Sequence, residues 1–457
     1  MGAISALFWG LLVLSALVFV HEGGHFLAAR AFGVRVTEFF LGMPSRFKIS
    51  RKSKKRGTEF GVTPLLLGGY NRICGMDGDE DPRLSAVLAC VQRHGRVSAE
   101  TVAAELGCEV EEAYALLATL SDWASIRPFY DPEKGEYPNQ KVYPECFETL
   151  ARDANMLTEY DPGHDFDAPG ATKAGEPHVA AALTSDELLA AERSHTYLGC
   201  GFLKRIAMLL AGPLVNLIVA FAIVVVFYMV VGVSYVVDTN VIGDIAHGSY
   251  AEAAGIAPGD AITMIDGTPT STWTEIIEAL DPVLKKDGSF EVSYLHEGAE
   301  KSATVTIERG GADVMFGITA TTDVYRADFF EASRAAIGYA AAVGGAALSL
   351  INPSQTMEVL NQSSSVVGIS VMAAEAAESG ISDLMLFVAA ISMSLGFMNL
   401  LPIPPLDGGK ILIEVIQLVS RRQLSKRAQT IVSYVGLVFF LFVFLFVLRN
   451  DILRMMG

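Results

Sequence analysis

The strongest constraint on this chain of 457 residues is a set of long apolar runs. Four of them, residues 4–29, 206–233, 384–401 and 431–447, are long enough, or nearly so, to cross a hydrocarbon core that needs about 20 helical residues. The first has no basic leader and no small-residue cleavage site, and it runs into charged residues on the same helical pattern, so it reads as a retained span. A fifth stretch, residues 335–351, is rich in Ala and Gly and follows an amphipathic start, which predicts an interfacial helix. With 51% hydrophobic and only 19% charged residues, the composition argues against a purely soluble protein.

Basic residues orient these spans, because short cytoplasmic loops are enriched in Lys and Arg. Arg46, Lys48, Arg51, Lys52, Lys54, Lys55 and Arg56 follow the first span, and Lys410, Arg421, Arg422, Lys426 and Arg427 lie between the third and fourth. Both loops are expected in the cytoplasm, with both termini and residues 234–328 outside. Cys74, Cys90, Cys108, Cys146 and Cys200 then share a reducing compartment, where disulfides are not expected. The formal charge of −17 is also localised. Residues 76–198 hold 24 acidic and 9 basic side chains, a net of −15, which leaves −2 for the rest of the chain. An acidic surface of this kind argues against nucleic acid as a partner.

The first span ends with Phe19-Val20-His21-Glu22-Gly23-Gly24-His25, a His-Glu-x-x-His pattern. Residues four apart share a helical face, so His21 and His25 can present two imidazoles to one zinc ion, with Glu22 beside it as acid and base. Ionisable groups at this depth cost several kcal/mol unless they are used or paired. A catalytic zinc needs a third protein ligand and an open position. The end of the third span, Asn399-Leu400-Leu401-Pro402-Ile403-Pro404-Pro405-Leu406-Asp407-Gly408-Gly409, supplies Asp407 on backbone that its prolines keep from being helical.

At these residues the chain resembles the site-2 protease family of intramembrane zinc metalloproteases. The likeness is to the bacterial, PDZ-containing branch of regulator-of-sigma-E-protease type. The His-Glu-x-x-His pattern pairs with Asn-x-x-Pro-x-Pro-x-Leu-Asp-Gly-Gly at residues 399–409. Further matches are Gly68-Gly69-Tyr70, Ala211-Gly212-Pro213 with Asn216, and Val367-Gly368-Ile369. The resemblance covers roughly residues 1–75 and 200–450. It implies His21, His25 and Asp407 as zinc ligands, Glu22 as catalytic acid and base, and Asn399, Pro402, Gly68, Gly69 and Tyr70 as substrate contacts. It also implies single-pass membrane substrates, such as anti-sigma factors already shortened by another protease.

The expected architecture is a polytopic α-helical membrane protein with four core spans, a membrane-associated β-hairpin, an external PDZ-like αβ domain and a cytoplasmic winged-helix-like insert. Residues 1–33 form span one and 34–75 the hairpin region, whose β-prone segments 36–40 and 59–62 offer an edge to an extended substrate. Residues 76–157 form the insert, with helices over 84–93, 98–106 and 111–120 and a hairpin from 123–130 and 140–143. This module is expected to bind a protein partner rather than DNA, or to dock on the basic residues 51–56 and so influence access to zinc. Residues 158–198 are a flexible linker and a short helix over 183–193, with His164 and His178 solvated rather than metal-binding. Span two occupies 199–233, the PDZ-like domain 234–326, an interfacial helix and connector 327–383, span three 384–410, and a loop with span four 411–457. The alternative function is a non-catalytic zinc-containing membrane scaffold, disfavoured because a scaffold has no need of Glu22 as a base.

Overall fold

The computed structural model describes residues 2–66, 68–76, 81–138, 144–178, 183–307, 314–352, 354–421 and 426–456. The chain divides into two compact units, Met1–Val224 with Ala335–Gly457, and Val225–Arg334.

Helix α1 (Ala3–Ala31) is apolar around its circumference, as a span must be. Gly33, at φ +82°, turns the chain into β1 (Val36–Leu41), followed by β2 (Ile49–Lys52), β3 (Glu59–Val62) and β4 (Gly69–Ile73). The expected strands over 36–40 and 59–62 are present, but they do not form a hairpin. They pair in parallel, with Phe39 opposite Phe60, and the sheet order is β2-β3-β1-β4. The antiparallel return on β3 is made by β2, whose Ser50, Arg51 and Lys52 hide it from a reading based on apolar alternation. Phe26 and Ala29 of α1 share a buried cluster with Val36, Phe39 and Ile73, so the sheet is packed on the end of the first span.

The insert begins with α2 (Leu84–His94), β5 (Arg96–Ser98), α3 (Ala99–Leu106) and α4 (Val110–Asp122), and continues with β6 (Ile126–Phe129) and β7 (Cys146–Thr149) in the sheet order β5-β7-β6. The helix starts and stops were legible. The Ser98 hydroxyl accepts the Thr101 N–H, and Gly107 ends α3 in the left-handed region. The strand pairing with β6 lies at Cys146–Thr149, downstream of the expected 140–143, and residues 139–143 are outside the described residues.

The flexible linker was expected from residue 158, and residues 150–178 carry buried, hydrogen-bonded groups on both sides of that boundary. Their Asp, Gly and Pro content suggested a solvated segment, yet Arg152, Asp153 and Asp161 are buried and the Asp153 carboxylate accepts the N–H groups of Asn155 and Leu157. The reason is charge pairing. Arg35, just beyond α1, donates Nε and Nη2 to the two oxygens of Asp161 at 2.9 and 2.6 Å, and Nη1 to Glu192 at 2.5 Å. Glu192 lies on α5 (Ser185–Ser194), whose start carries the Thr184–Glu187 capping box, and its second oxygen accepts Arg152 Nη1 at 2.7 Å. Two arginines and two carboxylates are thus neutralised in the interior, where unpaired charge is costly. Burial raises the Asp161 carboxyl and the bonds and charge of Arg35 more than offset it, holding it at about 2. Burial likewise opposes the ionised Glu192, and the charges of Arg152 and Arg35 hold it at about 2. Docking on the basic residues 51–56 is represented by Lys52, 2.7 Å from Glu159, but Arg35 is the buried anchor.

Helix α6 (Phe202–Val226) continues into a π-helical turn, Phe227–Val231. The second unit contains β8 (Val233–Val236), β9 (Ile242–Ile245), α7 (Tyr250–Ala253), β10 (Ala261–Ile265), β11 (Thr268–Pro269), α8 (Trp273–Leu284), β12 (Gly288–His296), β13 (Ala299–Ile307), β14 (Ile318–Ala320) and β15 (Thr322–Tyr325). Its main sheet has the order β11-β10-β12-β13, and Ile276 and Leu280 of α8 pack with Ile262, Ile265 and Val292. The Thr272–Glu275 capping box starts α8.

The chain then forms α9 (Phe329–Ser349), α10 (Thr356–Gln362), α11 (Val366–Ser379), α12 (Ile381–Leu400), α13 (Asp407–Ser420) and α14 (Lys426–Met456). Four helices are long and apolar enough to cross a membrane, namely Ala3–Ala31, Phe202–Val231, Ile381–Leu400 and Thr430–Arg454, in agreement with the four expected spans. The five cysteines are free.

Replacing Arg35 with Ala leaves Asp161 and Glu192 with an unbalanced buried charge and is expected to cost about 3–5 kcal/mol. Limited proteolysis of the full chain in detergent should then cut residues 150–178 readily at neutral pH. Because both carboxyls titrate below their ordinary values of 3.8 and 4.5, their contribution is complete above pH 4.5 and is lost as the pH falls through about 2. The wild-type strap should therefore stay protected at pH 5 and open in that acid window.

Candidate metal centre

The helical spacing of four places His21 and His25 on one face of α1, and both are buried. Asp407 opens α13, directly after the proline-bearing turn that ends α12, and reaches the same point from 386 residues along the chain. His21 Nε2 lies 3.0 Å and His25 Nε2 3.2 Å from Asp407 Oδ2, and the two Nε2 atoms are 3.2 Å apart. A tetrahedral zinc with bonds of about 2.0–2.1 Å sets its nitrogen and oxygen ligands about 3.3 Å from one another, so the three atoms fit one ion.

Tautomers support the same fit. His25 Nδ1 donates to the Met208 carbonyl at 2.8 Å, which leaves a lone pair on Nε2. A neutral His25 then has no proton to offer Asp407 or His21, and a cation is the natural occupant of the gap between them. On the other ring, His21 Nδ1 faces the Asn216 amide of α6 at 3.5 Å, and Asn216 Oδ1 is buried without a partner. Turning that amide over pairs Oδ1 with the Nδ1–H and frees His21 Nε2 in the same way. Backbone room is also required here, since a Cβ on Gly212 would run into the His25 ring. Gly408 and Gly409 serve similarly under the proline turn, where a Cβ would meet the backbone of Leu400, Leu401 and Pro404.

A cavity of about 360 Å³ opens beside this cluster, lined by Glu22, His25 and Asp407 together with residues of β4, α6 and α13. Glu22 is aimed by Asn71 of β4, whose amide donates to Glu22 Oε2 at 2.7 Å and to its carbonyl at 3.1 Å. Asn71 was missed by the sequence reading, which stopped at Tyr70. Alternation along β4 was the available signal, because it puts Asn71 on the same face as Gly69, where an added Cβ would come within 3.7 Å of Glu22. Tyr70 lines the cavity and donates its hydroxyl to Glu38 at 2.9 Å. Asn399 is turned elsewhere, its amide donating to Leu395 within its own helix at 3.0 Å, and neither it nor Pro402 or Gly68 is among the residues lining the cavity. In the former linker, His164 bonds the Asp161 carbonyl and belongs to no cluster of metal-binding side chains among the described residues.

Two imidazoles and an aspartate thus converge beside a glutamate on apolar helices, a set of groups suited to zinc. The chain belongs to peptidase family M50, whose sequence pattern matches residues 9–443. It is similar to the regulator of sigma-W protease RasP of Bacillus subtilis, at 26% identity over 97% of each chain. It is also similar to the zinc metalloprotease RasP of Geobacillus kaustophilus, at 28% identity over 97% of this chain and 96% of that one. The protein is thus a multi-pass zinc metalloendopeptidase of site-2 type.

Removing the buried partner of a metal-binding histidine commonly costs about 10–100-fold in metal affinity. Asn216→Leu should therefore weaken zinc retention by that factor in a chelator competition, whereas Asn71→Leu, which removes the amide bonds to Glu22, should leave zinc content intact while lowering turnover.

Proposed function

We propose that this protein is an intramembrane endopeptidase that cuts transmembrane segments of other membrane proteins in regulated proteolysis. The observation that carries the reading is the convergence of His21, His25 and Asp407 beside a cavity into which Glu22 also faces. His21, His25 and Asp407 hold the metal. Bound zinc lowers the pKa of a water molecule and polarises the scissile carbonyl. Glu22, aimed by Asn71, takes the proton of the attacking water and passes it to the departing amine. The peptide bond of a transmembrane helix is hidden by its own hydrogen bonds, so the substrate has to unwind. Strand β4 is bonded only to β1 among the described strands, and its open edge can hold the unwound segment extended, with Gly68, Gly69 and Tyr70 along its start. Asn399 and Pro402 then act by shaping the turn that presents Asp407 rather than by touching the substrate.

The substrates in this reading are single-pass membrane proteins, anti-sigma factors among them, a class suggested by the sigma-W regulation in the name of the Bacillus subtilis relative. The basic loops set the insert in the cytoplasm and residues 234–326 outside, where a PDZ-like domain screens substrates. The helix and strand order of residues 84–149 with sheet order β5-β7-β6 supports a winged-helix-like module. Its acidic surface suits a protein partner and not DNA.

Glu22→Gln is expected to keep stoichiometric zinc and to cut a panel of single-span substrates about 10²- to 10⁴-fold more slowly than the wild type. Equal cleavage by the two proteins would overturn the assignment of Glu22.

A further inference from the structure

Helix α13 carries Asp407 at its first position, so whatever fixes the rotation of α13 also fixes that carboxylate. Apolar packing contributes little to this. Leu412, Val415, Ile416 and Val419, spaced as one helical stripe, are exposed, and Ile411 is only partly buried against the cluster that holds Tyr197 and Met208. Beyond Gly409 the one buried residue of the helix is Glu414. It follows Asp407 by seven residues, about two turns along the same face. A carboxylate in that place is tolerated only when it is paired. Glu414 Oε1 accepts the Tyr197 hydroxyl at 3.0 Å, and Oε2 lies 3.2 Å from Arg205 Nη1. Arg205 is its only ion-pair partner among the described residues.

Both partners are themselves held. The Tyr197 N–H donates to the Cys74 carbonyl, just past β4, at 2.8 Å. Arg205 lies on α6 three residues before Met208, whose carbonyl accepts His25 Nδ1. Glu414 thus joins the helix that carries Asp407 to the helix that orients the His25 ring. A buried ion pair adds little stability over apolar residues of the same size, and its best use is to set register. The scale of the effect is large enough to matter. A carboxylate about 6 Å from a helix axis moves about 2 Å when the helix turns by about 20°, as much as a whole zinc–oxygen bond. An outward apolar stripe tolerates such a turn, whereas a carboxylate held between two donors does not. We propose that Glu414, through Arg205 and Tyr197, is a positioning residue for the metal centre, holding α13 at the rotation that keeps Asp407 against His21 and His25. This inference rests on the reading of Asp407 as a metal ligand.

The test is zinc retention by the purified full-length protein in detergent, in competition with a chelator. Glu414→Gln keeps the shape of the side chain and removes its charge, and it should weaken zinc binding about ten-fold, the lower end of the loss on removing a ligand's support. Arg205→Gln should give the same loss, and Arg205→Lys should retain most of the affinity. The double variant Glu414→Gln with Arg205→Gln should be no worse than either alone, because a single interaction is being removed. A role confined to stability would instead lower the melting temperature of the zinc-free protein and leave the affinity of the folded protein unchanged. At saturating zinc, Glu414→Gln should also show a lower kcat with little change in KM. Wild-type zinc retention in Glu414→Gln and Arg205→Gln would overturn the proposal, as would a loss in Arg205→Lys as large as that in Arg205→Gln. Should Glu414→Gln fail to fold, the two Arg205 variants decide. Asp407→Ala is the reference. Loss of zinc there without loss in the other variants counts against the role of Glu414 alone, whereas undiminished zinc in Asp407→Ala overturns the metal reading and the role of Glu414 with it.

Discussion

Two imidazoles and a carboxylate meet at about 3 Å in an apolar surround, a set of groups that a bound cation compensates, and much of the unit that contains them serves to bring them together. The helical repeat brings His21 and His25 together at no cost. Asp407 needs a span to end at the right depth, and the prolines after Leu400 end it. The glycines that follow let the turn close against the helix end. Met208 and Asn216, both on the second span, then set which ring nitrogen faces the metal. Three of the four spans therefore contribute to one point, and their packing is a condition of the chemistry.

A second buried electrostatic site ties the insert to the end of the first span. Arg35 leaves the first span a few residues after His25 and holds the strap and α5 through Asp161 and Glu192. The four charges cancel, which makes the cluster tolerable in the interior, and Arg35 also donates to the carbonyl of Ala124 just past α4. Overall acidity of the insert is thus a poor guide to its role. What matters is where single carboxylates lie, and Asp161 and Glu192 are inside the anchor.

The meeting of His21, His25 and Asp407 was legible in advance because its parts obey strong local rules. His-Glu-x-x-His repeats at the helical period, and Asp407 follows a run of prolines that a span does not otherwise carry. The helices of the insert were legible through the cap at Ser98 and the glycine at 107. Other features depend on contacts that no local pattern records. Strand β2 was hidden by its basic residues, so the parallel pairing of β1 with β3 was not foreseen. The strap looked disordered because its composition is that of a linker, and its order comes from Arg35, well over a hundred residues away. Asn71 lay one residue past a recognised motif. Asn399, which the motif linked to the substrate, donates its amide to Leu395 within its own helix.

The central claim is that the metal is held by one carboxylate and two imidazoles drawn from α1 and α13. X-ray absorption at the zinc edge on the purified full-length protein tests it most directly. The account predicts a shell of nitrogen and oxygen at about 2.0–2.1 Å with scattering from two imidazole rings and no sulfur. A zinc–sulfur distance of about 2.3 Å, or the same shell in an Asp407→Ala variant, would contradict it.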